Sequence, residues 1–372
     1  MALGVTVTTR TAPPAGGAIP TATDTWFVAG LTDTGTLSKP VEIRDMATFE
    51  SEFGARSGGN IALWDALDFF FREGGRRAIV VRTASGALAA GLTAMVADLG
   101  PGQVSAIGFP FTAATYTPLL THAQANNRIA ICDAVDSADP TVLQTLAATF
   151  VDTGGYGGLF GPHLNGAGPA GVTGVTTRSV PPSPVIAALC ARVDATGNPN
   201  QAAAGRSYPM QYVTDIRGSF TAPDRELLLN AGLNTSANIF GVLENYGFQT
   251  AIDQSVNTPF WQLNCCRMRM ALVAQAKAIG ENYMFKTMDG QGLLANDLKG
   301  HLETMLLTYF NVGALFGATP EEAFKVDVGA DTNTLETIAQ GRLRAIAQVI
   351  LSLHAKSVEI ELVTIPVGGQ VV

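Results

Sequence analysis

Charge is what this sequence has least of: Asp, Glu, Lys and Arg make up 15% of its 372 residues, against roughly 25% in a typical soluble chain. Long apolar runs are missing as well, although 47% of the residues are hydrophobic. The nearest approach, residues 305–318, is broken by Thr308, Asn311 and two glycines, short of the about 18 residues a spanning helix needs. The sequence is therefore read without membrane insertion. No basic tract occurs; 23 Lys and Arg are scattered among 31 Asp and Glu for a net charge of -8, which speaks against direct nucleic-acid binding. Cysteine is limited to Cys132, Cys190, Cys265 and Cys266, without metal-ligand spacing, and the last two are poorly placed to bridge each other. Reduced, buried thiols are expected. The first residues carry neither the positive nor the apolar region of a secretion signal, so cytosolic synthesis is expected. A chain rich in apolar residues and poor in charge has a surface suited to facing other protein, and points to an obligate assembly.

Length allows two or three domains. Residues 1–22 read as an arm: Val5 and Val7 alternate with threonines as a short strand, and Pro13, Pro14, Gly16, Gly17 and Pro20 then form a tether. Residues 23–84 read as a small α+β unit with apolar strands near Trp26–Gly30 and Ala78–Val81. Between them lies a helix capped by Asn60 and ended by Gly74 and Gly75. Residues 85–255 alternate short apolar strands with helices, the pattern of a parallel sheet with crossovers. In that stretch Ser183 is read as a helix cap, and the glycines between Gly154 and Gly174 as surface loops. Residues 256–365 begin with two amphipathic helices, lined by Met268, Leu272, Ala276 and Ile279 and by Leu294, Leu298, Leu302, Met305 and Tyr309. Residues 335–355 have a helical composition with an alternating run inside it. Ser357–Ile365 alternates Val358, Ile360 and Leu362 with acids, and is read as a strand before a C-terminal arm at 366–372.

Catalytic sets are not evident. His122, His163, His301 and His354 lie in no recognisable nucleophile frame, there is no G-x-S-x-G, and no glycine-rich stretch is followed by the Lys-Ser/Thr of a phosphate loop. Asp133 and Asp136 follow an apolar strand, where α/β folds often hold catalytic carboxylates, and are weighed against a plain loop role. Glu321 and Glu322 follow Thr319-Pro320 and read as a capped helix start. Neither a cofactor nor a metal is expected.

Four segments carry a family likeness: LWDALDFFFREGGRRAIVVR at 63–82, PPSPVIAALCARVDATGN at 181–198, NAGLN from 230, and GALFGATPEEAF at 313–324. In that order the chain resembles the contractile tail sheath family of myophages and R-type pyocins. The resemblance implies an inner α+β domain built from N- and C-terminal parts, an outer subtilisin-like α/β middle domain without catalysis, and extended terminal arms. It also implies that Gly341 opens a strand rather than continuing a helix. By the same resemblance the protein is structural and not an enzyme. It would be a homo-oligomer of stacked rings around a tail tube protein, in contact with baseplate and tail terminator proteins. It would be assembled in the host cytoplasm, lie in the virion tail, and drive the tube through the host envelope on contraction. Strand exchange between subunits would then have Val5 and Val7 supply the buried side chains and Val358, Ile360 and Leu362 the receiving edge, with Arg267, Lys286 and Lys299 as candidates for facing the tube. The alternatives are the sheath of a phage-derived bacterial injection system and a subtilisin-like hydrolase.

Overall fold

A computed structural model describes residues 21–170, 172–256 and 258–361. Val5, Val7 and Leu362, both arms and the end of the expected final strand lie outside them. Strands β1 (Trp26–Gly30), β2 (Pro40–Ile43), β3 (Ala78–Arg82), β4 (Gln103–Ile107), β5 (Ile129–Asp133) and β6 (Gly157–Phe160) are followed by β7 (Leu164–Ala167), β8 (Thr177–Val180), β9 (Val213–Ile216) and β10 (Leu233–Asn234). Seven of these form one sheet in the order β10-β6-β5-β4-β1-β3-β2, parallel except for β2 at the edge. The expected parallel sheet is present, but the boundary at 84/85 is not. β1 pairs with both β3 and β4, so residues 23–84 are the middle of the large sheet and not a separate α+β unit. The reason is in the strands themselves. Trp26, Phe27, Val28 and Ala29 are fully buried, as are Ala78, Val80 and Val81, and strands that are apolar on both faces need cover on both sides and partners at both edges.

That cover comes in two layers. On one side lie α1 (Met46–Phe53), α2 (Ile61–Arg72) and, later in the chain, α6 (Ser183–Thr196), with Phe49, Phe69, Phe70, Ile186 and Leu189 in one apolar core. On the other lie α3 (Leu88–Ala94), α4 (Ala113–Ala125), α5 (Pro140–Ala147) and α7 (Ala222–Asn230), around Leu92, Leu119, Leu143 and Leu228. β6 falls where surface loop was expected from its glycines. A side chain at Gly157 would meet Leu120 at 2.6 Å and the Ala130 carbonyl at 2.9 Å, so glycine here permits close approach to α4 and β5. β7 and β8, in the same glycine-rich stretch, form a three-stranded antiparallel sheet with β9. It is bolted to α2 by buried ions. Arg178 on β8 donates to Asp65 at 2.8 Å and to Asp68 at 2.5 Å, while the fully buried Glu73 accepts the amides of Gln211, Tyr212 and Val213 at 2.8, 2.6 and 2.9 Å. A hairpin of β11 (Ser236–Ile239) and β12 (Val242–Asn245) precedes the C-terminal part.

The C-terminal part has α8 (Leu263–Glu281), α9 (Leu293–Asn311), α10 (Pro320–Ala323), β13 (Phe324–Asp327), α11 (Leu335–Ala339) and β14 (Ile346–Val349). Its core, around Met268, Leu302, Leu306, Tyr309 and Val326, contains no residue before Cys265 among its buried members. The expectation of an inner domain built jointly with residues 23–84 is therefore corrected: those residues belong to the large sheet. α8 serves both cores, with Leu263, Cys266 and Met270 turned to the body and Cys265 and Met268 to the C-terminal part. The helix expected beyond Leu335 stops at Ala339; Gly341 follows in a turn with φ +68°, and the strand that the resemblance placed at Gly341 begins only at Ile346. Residues 357–361 form no strand, which corrects that reading over the described part of 357–365. Alternation alone does not make a strand where no partner edge lies alongside. The four cysteines are free and buried, and no helix among the described residues is long and apolar enough to cross a membrane.

Candidate assembly surface

The carboxyl end of β5, in the region where α/β folds often hold active sites, is occupied by a structural contact. Asp133, at the end of β5, accepts the Ser183 amide at 2.7 Å and the Ser183 hydroxyl at 2.6 Å. Ser183 is the first residue of α6 rather than its cap; the carboxylate of another element satisfies the helix end instead. Burial pushes the Asp133 carboxyl up to about 7, against the two hydrogen bonds that pull it down. A nucleophilic serine needs a general base on its proton and access to substrate, and this hydroxyl, which donates to Asp133, is fully buried without such access. Asp136 lies apart, paired with Arg217 at 3.1 Å and 3.8 Å from His163. His122 is held at 2.8 Å from Arg128, and burial with that cation pushes it down to about 4. His354 meets Asn264 at 2.9 Å, and His301 meets Tyr283 at 2.7 Å. Among the described residues no three His, Cys, Asp or Glu side chains come together as a metal site.

The sequence-predicted contact residues separate clearly. Arg267 is not at the surface: its side chain is fully buried and holds both Asp194 oxygens at 2.8 Å, while Thr23 donates to the same carboxylate at 2.7 Å. As a tube-facing candidate it is corrected. A cation in the first turns of α8, where both helix faces are covered, must find a buried partner. Lys286 is exposed in the α8–α9 loop, its ammonium 4.4 Å from the Tyr283 ring, beside Phe285, which is 100% exposed. Lys299 sits on α9, 3.6 Å from Glu303. Val358 and Ile360 are strongly exposed.

What sequence reasoning missed is an open sheet edge. Among the described residues β13 and β14 pair only with each other, in the register Val326 with Ala347 and Lys325 with Gln348. The Ile350 amide donates to Ala323, which places the alternate residues Gln348 and Ile346 in the bonded pairs and leaves the backbone groups of Ala347 and Val349 pointing outward. Ile346, Ala347 and Gln348 are exposed. Among the described residues nothing covers this edge, and a bare edge is a template for another strand. A β-branched pair at 346 and 349 around Ala-Gln was the available signal.

No protein-family model matches the sequence, and no curated protein does. Solved structures share the fold over nearly the whole chain. A chain of the anti-feeding prophage (AFP) baseplate in its contracted state is 21% identical, with a TM-score of 0.75 over 98% of both chains. The sheath complex of the extracellular contractile injection system PVC, in its contracted state, is 14% identical with a TM-score of 0.74, over 98% of this chain and 100% of that one. A sheath tail protein from Listeria innocua is 10% identical, with a TM-score of 0.54 over 86% and 90%. With an α/β body and a helical C-terminal part, this chain has the fold of contractile sheath proteins.

Proposed function

We propose that the chain is a structural sheath subunit of a contractile, tail-like particle. It polymerises helically around a tube, meets a baseplate at one end and a terminator at the other, and shortens to drive the tube through an envelope. The observation that carries this reading is the likeness to AFP and PVC components over 97–98% of the chain with TM-scores of 0.71–0.75. In this reading the α/β body is a non-catalytic, subtilisin-like unit, and strand addition links the copies. Val5 and Val7, or Val358, Ile360 and Leu362, would be donated by one copy to the β14 edge of the next, since main-chain hydrogen bonds hold a strand while a proline-rich tether lets domains reorient. Work then comes from two packings of the same subunits that differ in free energy, and no nucleotide is required. Lys286, beside Met284 and Phe285, and Lys299 on α9 are the remaining cations suited to facing the tube.

Negative-stain microscopy of the purified protein tests the reading: tubes or stacked rings are expected, and a monodisperse monomer at high concentration would overturn it. Between a bacterial injection system and a phage tail, the former is favoured, because the AFP and PVC structures score 0.71–0.75 and two sheath tail proteins 0.51 and 0.54. Capsid and terminase genes beside this one would reverse that preference.

A further inference from the structure

The chain carries a net charge of -8, yet one hollow in it has the reverse balance. Where the body meets the C-terminal part lies a cavity of about 900 Å³, walled on the body side by Arg76, Arg192, Gln201 and Ser207 and on the other by Ser352 and His354. Among the described residues no Asp or Glu lines it. The two arginine stems lie close together: a side chain at Gly74, just before Arg76, would meet the Arg192 Cδ at 3.0 Å. Arg76 is exposed and has no hydrogen-bond or ion-pair partner among the described residues. Arg192 donates from Nη1 to the Pro209 carbonyl at 2.7 Å and stands 3.9 Å from Glu73, whose oxygens already accept three backbone amides. The other nitrogens of its fork are without partners among the described residues.

The neutral groups around the hollow point to the same chemistry. The Gln201 side-chain oxygen is taken by the Tyr208 hydroxyl at 2.6 Å, which leaves its Nε2, a donor, as the free end. The Asn264 side chain donates from its nitrogen to the Asn200 carbonyl at 2.8 Å, so its oxygen, 2.9 Å from His354 Nδ1, is the acceptor and Nδ1 carries the proton. His354 Nε2 then has no partner among the described residues and becomes a donor by taking up a proton beside an anion. Two guanidinium forks, an amide nitrogen, the Ser207 hydroxyl and an imidazole form a set of donors with positive charge, and such a set suits oxygens that carry negative charge. A cation would meet repulsion there. The volume is that of a small-molecule site. We propose that this cavity binds a compact polyanion with two or more phosphate or carboxylate groups, held by Arg76 and Arg192 from the body and by His354 from the C-terminal part. The ligand would bridge the two parts within one copy, so the site goes beyond the sheath reading and does not depend on it.

Inorganic pyrophosphate and citrate, each at millimolar concentration against chloride of equal ionic strength, test this by melting curves and by titration calorimetry. At least one of them should raise the melting temperature of the full chain saturably, as a ligand of the folded state does, and the stronger of the two tells phosphate from carboxylate. Arg76→Gln should melt like the native chain without ligand, because that side chain is exposed and unpaired among the described residues, while its affinity for the anion falls about tenfold through loss of charge-assisted hydrogen bonds. Arg192→Gln should lose affinity as well. Lys39→Gln removes an exposed cation at the opposite end of the β2–β3 pair from Arg76 and should leave binding unchanged. No saturable response to either anion, or an equal affinity in Arg76→Gln and the native chain, would overturn the proposal. Tubes or their absence under the microscope bear on the sheath reading alone.

Discussion

Asp133 carries a pH dependence whose sign follows from its position. In the folded chain it keeps its proton up to about 7, while unfolded it would lose it near its ordinary value of 3.8. The folded state therefore binds more protons between these limits, and this group lowers stability as pH rises from about 4 to about 7, with no further change above. Asp133→Asn should flatten that part of the profile, seen as a smaller difference between the urea midpoints at pH 5 and pH 8 than in the native chain. Arg267 makes the opposite point about burial. Removing it leaves Asp194, among the described residues, with Thr23 alone as a donor, so Arg267→Met should cost about 3–5 kcal/mol in urea unfolding, and the double change with Asp194→Leu should recover much of it. A double variant as unstable as the single one would show that the pair is not the cause. Nothing along the chain marks this arginine's partner, because Asp194 is 73 residues away and is brought alongside only where the fold sets α6 beside α8.

At the scale of elements, the β14 edge is the test of strand addition. The Ala347 amide points away from β13, so Ala347→Pro should leave the β13–β14 ladder and the monomer's melting curve nearly unchanged while stopping an incoming strand from pairing. Sedimentation of the variant beside the native chain measures the loss, and undiminished polymerisation would exclude this edge as the acceptor. The chain beyond the edge is held by Gln262, whose side chain both accepts the His354 amide at 2.8 Å and donates to its carbonyl at 2.9 Å, as a neighbouring strand would. Gln262→Ala should speed hydrogen exchange at the His354 amide. Strands such as β1, β3 and β5 were legible as unbroken apolar runs, and α8 and α9 as helical stripes. β6, β7 and β8 were not, because the small residues that let elements approach closely carry the composition of a loop.

At the scale of the molecule, α8 decides whether body and C-terminal part are separable. Its first turns complete the body's core with Leu263, Cys266 and Met270. A chain truncated after residue 255 should lose roughly 5 kcal/mol or more of the body's stability, taking about 1.5–3 kcal/mol for each large apolar side chain removed, and one truncated after residue 281 should keep it. Equal denaturant midpoints for the two would mean that the body is complete without α8. By itself, the sequence determined strands such as β1, β3 and β5, the helices α8 and α9, the parallel α/β pattern and the likeness to sheaths, because these depend on local periodicity and on short motifs. Only the tertiary structure decided that residues 23–84 lie inside the large sheet, that Arg267 is internal, and that β14 and Phe240 are left uncovered among the described residues. Strand order, ion pairing and exposure are set by which distant segments meet, and no spacing along the chain records that.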